Sequence, residues 1–77
     1  MTPETFAHIR RLLRNEVFSA YKDVLFLQEM QEEWSVAFAD NPLRLQELKE
    51  NDTSLARKIE VYKRAVDRLL EFEYHEW

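Results

Sequence analysis

The sequence predicts an all-α fold, and three observations lead to it. The 77 residues include no glycine and only two prolines, whereas the tight turns of a β-sheet protein usually require glycine. Apolar residues recur at steps of three and four, which is the spacing of one face of an α-helix. A helix-capping residue precedes each proline, at Thr2-Pro3 and at Asn41-Pro42, and this pairing marks two helix starts.

The first predicted helix extends over about residues 3–39. Thr2 is its expected N-cap, Pro3 takes the first helical position, and Glu4 places a negative charge at the positive end of the helix. No helix breaker interrupts the apolar stripe before residues 40–42. The stripe consists of Phe6, Ile9, Leu13, Val17, Ala20, Val24, Leu27, Met30, Trp34 and Phe38. A helix of about 55 Å needs a packing partner along its length.

The second arm is predicted to be broken into two helices. A short helix is expected over about residues 42–50 and a longer one over about residues 54–76. Between them, Asp52 or Thr53 is the expected N-cap of the longer helix. A turn at residues 40–41 would fold the two arms into an antiparallel hairpin, in which the numbers of paired residues sum to about 80.

Opposite charges agree with this antiparallel register. The predicted pairs are Arg10 with Glu71, Arg14 with Asp67, Glu16 with Arg64, Lys22 with Glu60, Asp23 with Arg57 or Lys58, and Glu32 with Lys49. Each such pair is worth less than about 1 kcal/mol, so the pairs orient the arms more than they stabilise them.

The apolar surface is larger than one hairpin can bury. Side chains off the main stripe form a second apolar set, which we take as an association face. Its members are Phe18, Tyr21, Leu25, Phe26, Val61 and Phe72. Two hairpins packed as a four-helix bundle would cover this face, so the sequence predicts a homodimer. The alternative is that the face binds a different protein.

Composition excludes several classes of function. Cysteine is absent, which removes thiol chemistry, and the absence of glycine excludes glycine-rich phosphate-binding loops. The longest apolar runs, such as Val24–Leu27, have four residues, far fewer than the roughly 20 of a membrane span. We therefore expect a small acidic protein-interaction module with an adaptor, inhibitor or regulatory role. It would be cytoplasmic and would act without catalysis, cofactor or membrane contact.

Two alternative functions depend on local clusters of charged or metal-binding side chains. Arg10, Arg11 and Arg14 form a basic edge that would contact the phosphates of a nucleic acid, although the net charge of −4 disfavours this partner. The competing interpretation is that these arginines neutralise the acidic C-terminal residues 71–76.

The other alternative is a metal site at the ends of the chain. Glu4 and His8 are four residues apart on the first helix, as are Glu71 and His75 on the last. The hairpin would bring both pairs to one end, where they would offer ligands for a divalent metal. Solvated terminal side chains are the simpler interpretation.

Overall fold

The computed structural model describes residues 1–37, 41 and 44–76, and it shows two helices packed as a hairpin. Helix α1 comprises Pro3–Ala37 and helix α2 comprises Leu45–Tyr74. The molecule is a rod of 58 × 15 × 12 Å. The predicted all-α hairpin is therefore confirmed.

Helix α1 begins where the capping signature places it. The backbone N–H of Thr5 donates to Oγ1 of Thr2 at 3.2 Å, and the N–H of Phe6 donates to the Thr2 carbonyl at 3.0 Å. Thr2 is thus the N-cap, and Pro3 is the first helical residue. The described helix ends at Ala37. The predicted end at residue 39, with Phe38, and the predicted start at Pro42 lie outside the described residues.

The predicted break in the second arm is wrong, because α2 is one continuous helix through residues 51–53. Asn51 does not mark a helix boundary. Its side chain donates hydrogen bonds to residues of α1. The hydroxyl of Thr53 donates to the carbonyl of Lys49 at 3.1 Å, one turn earlier in the same helix. The polar residues that were expected to end one helix and cap the next are therefore used within a single helix.

The hydrophobic core is a single seam between α1 and α2. Of the described residues, Ala20 and Ala65 are the buried apolar side chains, at 6% and 1% exposure. The half-buried seam residues are Phe6, Ile9, Leu13, Val17, Val24, Leu27, Met30, Gln31 and Trp34 on α1, and Leu48, Leu55, Ile59, Tyr62, Val66, Leu69 and Phe72 on α2. Aromatic contacts join the helices at two levels, Phe6 with Phe72 and Tyr21 with Tyr62. Two helices alone cannot enclose large side chains, so the core remains thin.

The ion pairs agree with the predicted register near the middle of the hairpin and differ from it toward the open end. Lys58 Nζ lies 3.5 Å from Asp23 Oδ2, as predicted. Glu16, however, pairs with Arg68 at 3.1 Å instead of with Arg64. The residue numbers of these two pairs sum to 81 and 84, compared with the predicted value of about 80.

Arg10 shows the same shift. Its Nε lies 3.3 Å from Glu73 Oε1, whereas Glu71 was the predicted partner. In both ion pairs the partner on α2 lies nearer to the C-terminus than predicted.

Asn51 is the buried polar residue of the seam. It is 6% exposed, and its Nδ2 donates to the carbonyl of Leu27 at 3.1 Å and to Oε1 of Gln31 at 2.9 Å. We expect Asn51→Ala to lower the free energy of unfolding by about 1–3 kcal/mol, because both cross-helix bonds and the packing of the amide are lost. Urea denaturation followed by circular dichroism would measure the change. Thr53→Ala, at an exposed position two residues away, should change the stability by less than about 0.5 kcal/mol.

Candidate protein-interaction surface

One face of the hairpin contains an open groove of about 420 Å³. Ala20 and Ala65 contribute to its lining, although they are only 6% and 1% exposed. The full lining is Leu12, Asn15, Glu16, Ser19, Ala20, Asp23, Val61, Ala65 and Arg68. The ion pairs of Glu16 with Arg68 and of Asp23 with Lys58 cross this face. The groove therefore combines a small apolar interior with charged edges.

The position of a residue relative to the seam decides which face it occupies. Leu12 and Ser19 on α1, and Val61 and Arg68 on α2, all line the groove, and each directly precedes a seam residue. We call this side the groove face. Successive residues of a helix are rotated by about 100°, so a residue that directly follows a seam residue points to the opposite side.

We call the opposite side the broad face. Its exposed apolar residues each come directly after a seam residue in the sequence. Tyr21 comes after Ala20, Leu25 after Val24, and Leu70 after Leu69. All three are among the large apolar side chains that remain exposed. Leu70 and, on the groove face, Leu12 are also exposed, although the predicted association face did not include them.

The structure divides the predicted association face into three parts. Phe18, Tyr21 and Leu25 lie on the broad face, where Phe18 is 59% exposed and the ammonium of Lys22 lies 4.6 Å from its ring centroid. The groove face holds Phe26, which precedes Leu27 and is 62% exposed, together with Val61.

Phe72 belongs to neither face. Its ring stacks on Phe6 at a centroid separation of 4.8 Å, so it stabilises the hairpin itself. The six residues are thus divided among the broad face, the groove face and the contact between Phe6 and Phe72.

The basic cluster of α1 faces an acidic partner in its own chain. Nε of Arg10 and Nε of Arg14 lie 3.3 Å and 3.8 Å from the same oxygen of Glu73. Arg11 is exposed. These contacts agree with the interpretation that the arginines neutralise the acidic C-terminal segment, and they leave less of the cluster available for phosphates.

The proposed metal ligands do not assemble. Within residues 1–37, 41 and 44–76, no group of three or more His, Asp or Glu side chains lies close enough to hold a metal ion. That range includes Glu4, His8, Glu71 and His75. All four side chains are exposed.

Comparison with known proteins identifies no relative of this chain. No protein-family model matches the chain, and neither a curated protein nor a solved structure is detectably similar to it. Neither α1 nor α2, over the described residues, has an apolar segment of the length needed to cross a bilayer.

Proposed function

We propose that the chain is a non-catalytic protein-interaction module with an adaptor, inhibitor or regulatory role, and that its first partner is a second copy of itself. The exposed apolar surface of the hairpin supports this proposal. Eleven large apolar side chains remain exposed among the described residues, whereas only two apolar side chains are buried. A helix that is apolar on more than one side is normally covered on more than one side.

The accessible surface of the hairpin is large for its mass. The chain of 9.4 kDa exposes 6222 Å². A compact monomeric protein of that mass exposes about 5,000 Å². The excess arises because a rod of two helices has only one buried seam.

A dimer would remove the excess. Two separate hairpins expose about 12,400 Å² together, whereas a compact protein of their combined mass exposes about 8,300 Å². Association into a four-helix bundle of that compactness would bury about 4,000 Å². This area falls within the range of about 2,000–5,000 Å² found for obligate homodimers.

Sedimentation equilibrium tests this proposal directly. We expect a dimer at micromolar concentration, because an interface of this size and apolar character supports tight association. A monomer at about 100 μM would contradict self-association, since that concentration corresponds to a dissociation constant weaker than that of ordinary stable dimers. The melting temperature should also rise with protein concentration, as it does whenever folding is coupled to association.

A further inference from the structure

We propose that the two copies pair through their α1 helices in antiparallel orientation, about a two-fold axis near residue 23, with Arg14 of each copy beside Glu32 of the other. This inference rests on the self-association proposed above and specifies its geometry. The occupant of the broad face is therefore a second copy of the chain.

The first support is a stripe of four residues on α1: Arg14, Tyr21, Leu25 and Glu32. Their spacings of seven, four and seven keep them within about 40° of one another around the helix. We call this set the α1 stripe. It has an apolar pair at its centre, a cation at its N-terminal end and an anion at its C-terminal end.

The second support is the angle between the stripe and the seam. Each stripe residue directly follows a seam residue: Leu13, Ala20, Val24 and Gln31 in turn. The stripe therefore lies about 100° around α1 from the centre of the contact with α2, and the ring of Tyr21, although exposed, also reaches Tyr62 of its own chain. In a four-helix bundle each helix packs against two neighbours. Seen along the bundle axis, the directions to these two neighbours are roughly at right angles, so the α1 stripe is correctly placed for the second neighbour.

The third support is that the stripe is complementary to itself when reversed. In an antiparallel pair centred on residue 23, Tyr21 lies opposite Leu25 of the partner copy, and Arg14 lies opposite Glu32 of the partner copy. The two-fold axis repeats each contact, which gives two apolar contacts flanked by two ion pairs. Tyr21 and Leu25 are exposed in the single hairpin, and so are Arg14 and Glu32, so all four are accessible to a partner.

The charges of the stripe allow a charge-swap experiment. Arg14→Glu places like charges together twice in the proposed dimer, and so does Glu32→Arg. We expect each to raise the dimer dissociation constant at least about tenfold. The double variant Arg14→Glu with Glu32→Arg restores both opposite-charge contacts, and its dissociation constant should return to within about threefold of the original.

Two features of the design exclude effects within one chain. Arg14→Glu also places a second carboxylate near Glu73, but this contact is the same in the double variant, so rescue must come from the pairing with residue 32. Arg57→Glu is the matched control, because Arg57 is exposed and lies four residues before Val61 on the groove face. It should leave the dissociation constant unchanged.

Spin labels measure the orientation independently. One label replaces Arg11 and, in a separate variant, one replaces Lys22, both at exposed positions of α1. An antiparallel pair centred on residue 23 offsets the two copies of position 11 by about 36 Å along the axis, and those of position 22 by only about 3 Å. The distance between labels in the dimer should therefore be roughly 20 Å longer at position 11 than at position 22.

The outcomes separate this geometry from self-association itself. Equal distances at the two positions would mean that the axis runs parallel to the helices, and this would overturn the proposed pairing while leaving the dimer intact. Loss of affinity in both single variants without rescue in the double variant would overturn it as well. A monomeric unmutated protein would instead contradict the proposed function.

Discussion

Ala65→Leu should destabilise the hairpin by about 1–3 kcal/mol, or more if the helices cannot separate locally. Ala65 is 1% exposed and lies beside Ala20 at the centre of the seam. A leucine at this position adds three carbons where the two helices approach each other closely, so it forces α2 away from α1 or distorts its own side chain. In a protein with so thin a core, this is a large fraction of the total stability.

Urea denaturation of Ala65→Leu, followed by circular dichroism at constant protein concentration, measures this loss. Ala37→Leu is the control, since Ala37 is an exposed alanine at the end of α1 and does not directly follow a seam residue. Leucine and alanine have similar helix propensities, so the control should retain its stability. An Ala65→Leu protein as stable as the original would mean that the helices are not in close contact at this level.

Phe18→Glu combined with Leu25→Glu should convert the dimer into a helical monomer. Both side chains are exposed on the broad face of the single hairpin. A symmetric dimer would therefore lose four buried apolar groups, each worth about 1.5–3 kcal/mol. The dissociation constant should rise at least about a thousandfold, which sedimentation equilibrium would measure. The far-ultraviolet circular dichroism should remain helical, because the α1–α2 seam is unchanged.

A matched pair of substitutions exists on the other side of the hairpin. Leu12→Glu with Phe26→Glu also replaces one leucine and one phenylalanine, but both lie on the groove face. This variant should remain a dimer. If it dissociates while the broad-face variant stays dimeric, then the groove face is the surface of self-association.

Should the broad face be occupied by a second copy, the groove face would remain on the outside of the bundle. The groove of about 420 Å³ and the exposed ring of Phe26 would then be the apolar surface that is still accessible. A dimer would present two such grooves, related by its two-fold axis.

The sequence by itself determined the fold class and the two helical arms. Periodic apolar residues from Phe6 onward and the absence of glycine predict helices from local information alone. Thr2-Pro3 placed the start of α1 correctly, because capping depends on neighbouring backbone N–H groups. The pairing of Asp23 with Lys58 was also predictable, since an antiparallel hairpin constrains residues near its middle.

Only the tertiary structure decided the role of Asn51 and the division of the apolar surface into two faces. An asparagine in a polar run has the composition of a helix end, but a bond to the carbonyl of Leu27 on the other helix keeps it inside α2. Likewise, Phe18 and Phe26 look equivalent as exposed aromatics until the direction of the seam is known. Both outcomes depend on contacts between residues distant in the chain, which local propensity does not encode.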